Sequence, residues 1–212
     1  FPKNIQSEII ELKEFPSIEE KEEVIDIPNF SALSYIGAQI NKSKRPIIYA
    51  GGGIISSNSS KYLYTLAKKN NIPVALTLMG LGAFPADDEL YLGMLGMHGS
   101  PFTNLLINEA DLILAFGVRF DDRATGDIKK FCPKASIIHV DIDESEINKV
   151  KNSSISMNCS IDLFLKSIIG YIDENPRTNW IQRINCFKNK YPLPSYDDPM
   201  HPANIISFVA DK

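Results

Sequence analysis

Four short stretches of this chain hold residues whose types and spacing suit chemistry. Gly51-Gly52-Gly53, followed by Ile54-Ile55-Ser56-Ser57, omits three side chains in a row, so a ligand can approach the backbone and amides can point at phosphate. It is not the GxGxxG dinucleotide fingerprint, because the second glycine adjoins the first and Ser56 stands where the last glycine would fall; a plain tight turn is the competing reading. Thr77-Leu78-Met79-Gly80-Leu81-Gly82 and the later LYLGMLGMHGSP carry five glycines and three methionines, a density too glycine-interrupted for a helix. Exposed Met and Leu on such a loop can line an apolar slot for a ring system, although core filling is the commoner use of Met.

The third stretch, Gly117-Val118-Arg119-Phe120-Asp121-Asp122-Arg123-Ala124-Thr125-Gly126, holds two of five arginines in a chain where lysine supplies 17 of the 22 basic residues. Arginine where a surface would accept lysine implies planar, bidentate contact with phosphate or carboxylate, with Asp121 and Asp122 available to hold the guanidinium groups; a surface salt-bridge cluster is the alternative. The fourth is Asp141-Ile142-Asp143-Glu144-Ser145-Glu146, in which an acidic residue at a strand end would accept ribose hydroxyls, or Glu144 or Ser145 would cap a following helix. His98 has no second histidine or cysteine at ligand spacing, so no metal is expected here. There is no GxSxG, HExxH or P-loop and no nucleophile with a base beside it.

What positions these stretches is a regular alternation of elements. PIIYAGGG, IPVALTLMG, LILAFGVRF, ASIIHVDID and the weaker SISMNCS are apolar, β-rich runs. They are continuously apolar, which suits a parallel sheet covered on both faces. Apolar spacing predicts helices over Phe30 to Asn41, Ser59 to Asn70, Pro101 to Glu109, Glu144 to Val150, Ile161 to Tyr171 and Thr178 to Asn189. The expected fold class is therefore α/β, doubly wound, with a mainly parallel sheet and helices on both faces: a Rossmann-like, three-layer single domain with linker tails. Ligands of such sheets lie outside the carboxyl ends of the strands, where all four stretches fall. Together they describe a site for a nucleotide with a bulky ring.

A formal net charge of -4 and a pI near 5.4 give no concentrated basic face for nucleic acid or an anionic membrane. No apolar run approaches the roughly 20 residues that span a bilayer, and the start FPKNIQSEII has no signal-peptide pattern. Cys132, Cys159 and Cys186, odd in number and widely spaced, read as buried reduced thiols. The charge-rich SIEEKEEVIDIP and the proline-rich stretch from Tyr191 to Pro202 read as joints to neighbouring domains. With Phe1 rather than Met in first place, the chain reads as part of a longer polypeptide.

The blocks RPIIYAGGG, ALTLMGLGAFP, LGMLGMHG, ADLILAFGVRFDDRATG and IIHVDIDESEINK resemble, in order, the central domain of the acetolactate synthase (acetohydroxyacid synthase) catalytic subunits, from about Pro28 to about Ile172. LGMLGMHG followed by GVRFDDR is the specific part; GGG alone is not. The resemblance implies a division into an interdomain linker at residues 1–27, a central FAD-binding domain at 28–190, and at 191–212 a linker with the start of the next domain. It implies a thiamine-diphosphate- and magnesium-dependent enzyme that decarboxylates pyruvate and joins the two-carbon fragment to a second 2-oxo acid in valine, leucine and isoleucine synthesis. The thiamine motif and activating glutamate of that family lie in its other domains, so no catalytic residue is expected here. The isolated chain is expected to make no acetolactate and to bind FAD weakly or not at all.

By the same resemblance, FAD contacts fall on Gly51, Gly52, Gly53, Thr77, Leu78 and Met79, and on Leu95, Gly96, Met97 and His98 around the ring. They continue through Gly117, Arg119, Asp121, Arg123 and Ala124 to Asp141, Ile142 and Glu146 toward the adenosine. Met97, Asp122 and Arg123 match positions lining the substrate channel, where Arg123 would grip the carboxylate of the second substrate. Two positions depart from the family: Ser160 stands where an Asp usually meets the adenine, and Lys13 stands where the preceding linker has an arginine, or that residue is absent. Implied partners are the neighbouring domains, further copies of the chain and a regulatory small subunit, in the cytoplasm or plastid stroma. The other readings are a stand-alone nucleotide-binding module and the central domain of another thiamine-diphosphate carboligase or decarboxylase.

Overall fold

Six strands form one parallel sheet in the order β3-β2-β1-β4-β5-β6, and the computed structural model describes residues 3–9, 11 and 30–210. After a single turn, α1 (Lys3–Gln6), the chain runs α2 (Phe30–Lys42), β1 (Pro46–Ala50), α3 (Gly52–Ser56), α4 (Ser60–Asn70), β2 (Val74–Leu76), β3 (Tyr91–Met94) and α5 (Pro101–Leu106). It continues through β4 (Leu112–Phe116), α6 (Asp122–Thr125), β5 (Ser136–Asp141), β6 (Ile155–Asn158), α7 (Ile161–Ile168), α8 (Thr178–Lys190) and α9 (Pro202–Ala210). This is the doubly wound α/β fold expected from the pattern. Most of the linker expected at residues 1–27, Lys13 included, lies outside the described residues.

The alternation of side chains along each strand divides the core in two. On one face Ile48, Val74, Leu76, Leu114, Phe116 and Ile138 meet α2, α4 and α7; on the other Ile47, Tyr49, Ala75, Ile113, Ala115 and Ile137 meet α5 and α8. β1 and β4 are buried at every position, which is why their sequences run apolar without alternating. In α4, Leu63, Leu66 and Ala67 face the core, and Asn71 ends the helix in the left-handed region at φ 46°, a conformation asparagine tolerates. Pro73 then starts the approach to β2.

Three expectations are corrected. The glycine-rich stretch near residue 90 contains β3, a short edge strand whose Gly93 has φ 78°; glycine hid the strand pattern by breaking its β-propensity. Glu144 to Val150 is not a helix but a 3-10 turn over Glu144–Glu146, because Asp143 spends its carboxylate on the Ser145 amide and hydroxyl and closes a local turn. Cys132 and Cys159 are buried, but Cys186 is exposed on α8, outside the apolar stripe that Trp180 and Ile184 define.

Arg177 is a hub that periodicity could not reveal. Buried and in the left-handed region at φ 44°, it donates to the carbonyl oxygens of Ile40 (2.9 Å), Asn70 (2.8 Å) and Ser43, and to the Asn70 side-chain oxygen. It thereby ties the start of α8 to the ends of α2 and α4. No helix among the described residues is long and apolar enough to cross a membrane.

Candidate functional site

The loops that leave the carboxyl ends of β1 to β4 pack against one another, and the β5 loop leaves the same side of the sheet. Gly51, Gly53 and Gly117 are the pivot. A Cβ on Gly51 would overlap the carbonyl oxygen of Gly117, and one on Gly53 would sit 2.7 Å from the Gly117 Cα; Gly117 itself has φ 57°. Two of the three glycines thus let the β1 and β4 loops touch, a role the sequence did not suggest. Gly52 differs: its Cβ would stand 3.2 Å from the Met79 Cβ and 3.4 Å from the Met79 carbonyl oxygen, with no overlap. The Thr77 side chain accepts from the Gly80 amide at 3.0 Å and fixes the turn that carries Leu78 and Met79.

The β3 and β4 loops meet from strands three places apart in the sheet. The Met97 amide donates to the Arg123 carbonyl oxygen at 2.8 Å, and a Cβ on Gly96 (φ 109°) would lie 2.6 Å from that same oxygen. With strands about 4.8 Å apart, the β4 loop must span the ends of β1 and β2 to make this contact. Asn104 holds the other side, accepting from the Gly96 amide and donating to its carbonyl, both at 2.9 Å.

The side chains exposed along this edge include a group of apolar and cationic ones beside the acidic Asp121, Asp122, Asp143 and Glu144. Leu78, Met79, Met97 and Ile142 are 69, 71, 68 and 54% exposed, so these methionines are not core filler. Arg119 and Arg123 are exposed as well, and neither guanidinium has a hydrogen-bond or ion-pair partner among the described residues. This corrects the expectation that Asp121 and Asp122 hold them. Asp121 instead accepts from the Ala124 amide at 3.0 Å and caps α6, a use that stabilises a helix start by about 1 kcal/mol. The arginines stay available for an anionic partner, and bidentate geometry suits phosphate or carboxylate.

Other expected contacts are placed less openly. Leu95 is buried, while His98 beside it is exposed. Asp141 is buried, and its Oδ1 accepts from the Asp143 amide at 2.9 Å; burial pushes its pKa up against that hydrogen bond. Glu146 is paired with Lys149 at 2.7 Å. Ser160 stands at the N-cap position of α7 without a side-chain cap bond. Among the described residues no group of three or more His, Cys, Asp or Glu converges closely enough to hold a metal ion.

Two residues below the edge carried no chemical signal in the sequence. Phe120 and His139 are both buried, and they support the β4 loop from beneath. A separate cleft of about 630 Å³, lined in part by Lys42, Arg45, Glu109, Arg177 and Arg183, opens at the opposite, amino end of the strands. It shares no residue with the glycine edge.

The family model for the thiamine pyrophosphate enzyme central domain matches residues 34–168. The chain is 39% identical over 213 residues to the acetolactate synthase isozyme 1 large subunit of Escherichia coli (strain K12), an alignment covering 99% of this chain and 37% of that protein. It is 44% identical over 173 residues to acetolactate synthase 2, chloroplastic, of Nicotiana tabacum, covering 79% of this chain and 26% of that one. With the acetolactate synthase large subunit of Cyanidium caldarium the identity is 35% over 228 residues, 100% of this chain and 39% of the other. The chain therefore spans well under half the length of these relatives.

Proposed function

This chain belongs to the family of thiamine pyrophosphate enzyme central domains, and from that membership we propose that it is the FAD-binding domain of an acetolactate synthase large subunit. The assigned span is 28–190, with joints to neighbouring domains at 1–27 and 191–212. The observation that carries the reading is the pair of exposed guanidinium groups, Arg119 and Arg123, without partners among the described residues, on the same edge as exposed Leu78, Met79 and Met97. A flavin dinucleotide presents the complement of that edge, a broad apolar ring system joined to a diphosphate.

In the proposed assignment Gly52, Thr77, Leu78 and Met79 flank the ribityl and ring portion, and Leu95, Gly96, Met97 and His98 close over it. Gly117, Arg119, Asp121 and Ala124 follow the diphosphate, and Asp141, Ile142 and Glu146 the adenosine. Gly51 and Gly53 act through the loop contact with Gly117. Met97, Asp122 and Arg123 face the substrate channel, where the guanidinium of Arg123 holds the carboxylate of the second 2-oxo acid by a charge-assisted bond. Binding this carboxylate orients the acceptor, and the apolar Met97 wall excludes water from the approach.

The whole enzyme would condense two pyruvate molecules, or pyruvate and 2-oxobutanoate, with release of CO2 in branched-chain amino acid synthesis. Thiamine diphosphate with Mg2+, held by other domains, supplies the decarboxylation chemistry, and FAD contributes no net redox change. A homo-oligomer with a regulatory small subunit, in the cytoplasm or plastid stroma, completes the proposal. The test is a flavin titration of the chain, followed by fluorescence and run to millimolar FAD. Weak saturable binding that ADP-ribose alone does not reproduce supports the reading. Equal affinity for FAD and ADP-ribose would instead favour a generic nucleotide module.

A further inference from the structure

Beneath the loop that bears Arg119 and Arg123 lies a histidine with no role so far. His139 of β5 is in register with Ala115 of β4, which is in register with Tyr49 of β1. The small alanine leaves a gap in that row, and the Phe120 ring occupies it: 6.0 Å from the Tyr49 ring and, edge to face, 5.3 Å from the His139 ring. His139 Nε2 lies 3.1 Å from the Val118 carbonyl oxygen. A carbonyl only accepts, so Nε2 carries the proton. Nδ1 is buried without a partner among the described residues, which leaves no acceptor there for a second proton and favours the neutral ring. Burial lowers its pKa, against the opposing pull of Asp141, the Val118 bond and Glu146.

We propose that His139 is a positioning residue for the ligand loop: its Nε2–H bond to Val118 and its ring contact with Phe120 set where Arg119 and Arg123 stand over the strand ends. Only the identity of the ligand rests on the flavin reading; the clamp rests on the geometry. One residue on each side of Arg119 is anchored, Val118 by its carbonyl and Phe120 by its ring, so the exposed arginine between them inherits a fixed origin. The groups that face the ring are Asp141 on its own strand, with its Oδ2 3.9 Å from Nε2, Glu146 on the following turn, and Tyr49 of β1 across Phe120. Asp121 and Cys132 lie beyond Tyr49 and act on its hydroxyl.

The test compares three variants of the full chain. His139→Gln places an amide N–H where Nε2 stands, His139→Asn reaches only the Nδ1 position, and His139→Leu keeps bulk without a donor. Amide exchange at Met97, Ala124 and Thr125 should match wild type in His139→Gln and accelerate at least about tenfold in the other two, the size expected for one lost buried bond. Exchange at Ile48 and Leu114 should not move. FAD affinity should fall with His139→Asn and His139→Leu and recover with His139→Gln. If all three variants exchange alike in the loop, the clamp is wrong; if the exchange pattern appears but wild type binds FAD and ADP-ribose equally, the flavin reading alone is wrong. In the wild-type chain, imidazole nitrogen shifts should report Nε2 protonated and Nδ1 bare, and the opposite tautomer would overturn the proposal without any variant.

Discussion

The amide of Met97 donates to the carbonyl oxygen of Arg123 at 2.8 Å, although the strands that deliver these residues stand three places apart in the sheet. One bond thus joins the methionine wall of the edge to the arginine assigned to the second substrate. Because it runs backbone to backbone, the side chains of both residues remain free for a ligand.

The glycine triplet should separate into two behaviours. Gly51→Ala drives a methyl into the Gly117 carbonyl, which is backbone and cannot step aside; it should cost about 1–3 kcal/mol, as overpacking does. Gly52→Ala comes no nearer than 3.2 Å to the Met79 Cβ and 3.4 Å to the Met79 carbonyl oxygen, and should change stability by less than about 1 kcal/mol. Urea unfolding of the two variants checks the contrast, and equal losses would contradict the loop-contact role of Gly51.

Arg119→Ala and Arg123→Ala remove side chains that hold nothing within the described residues, so stability should stay within about 0.5 kcal/mol of wild type. Flavin affinity should drop about tenfold or more for Arg119→Ala, the range of a lost bond to a charged group. In a full-length enzyme carrying this domain, Arg123→Ala should shift the preference between second 2-oxo acids. A large fall in thermal stability with unchanged ligand affinity would return both residues to a structural role.

Much of this edge was legible in the sequence because the features that mark it are local. Strand ends follow from apolar runs closed by Gly, and the choice of Arg over Lys at 119 and 123 stands out in a lysine-rich chain. What could not be read was tertiary. The partner of Asp121 is a backbone amide that exists only once α6 has formed, and β3 was concealed by the φ that Gly93 supplies. His139 sits in a run, SIIHVD, that reads simply as a strand; its partner Val118 is 21 residues away, and no spacing rule connects them.

Arg177 offers a control remote from the ligand edge. Arg177→Met would strand the Ile40 and Ser43 carbonyls and the Asn70 side chain, and should destabilise by roughly 3 kcal/mol or more, given about 1–3 kcal/mol for each buried group left unsatisfied. Lysine cannot restore the planar fork, so Arg177→Lys should recover little. Flavin affinity of the residual folded fraction should not change. Loss of affinity without loss of stability would mean the two ends of the sheet communicate.

Asp111 should contribute to the acid limb of stability. Burial pushes its pKa up, but bonds from the Ser43 hydroxyl and the Lys44 and Arg45 amides outweigh this and hold it below the ordinary 3.8. A depressed folded-state pKa stabilises the fold above the unfolded-state value, and that contribution is lost as pH falls through the folded-state value. Asp111→Asn should therefore lower stability at pH 7 and flatten the decline below about pH 4. Glu109, lowered first by its bond to Arg183, acts in the same direction but is partly exposed and weaker. An undiminished acid slope in Asp111→Asn would remove Asp111 as the source.

Amide chemical-shift mapping during a titration of the isotopically labelled chain to millimolar FAD asks the central question directly. The expected result is a contiguous set of shifts at Gly52, Met79, Met97, Gly117, Arg119 and Ile142, with none at Arg177 or Arg183. Shifts confined to the cleft at the amino ends of the strands, or saturable binding with no shift on the glycine edge, would contradict a flavin dinucleotide site there.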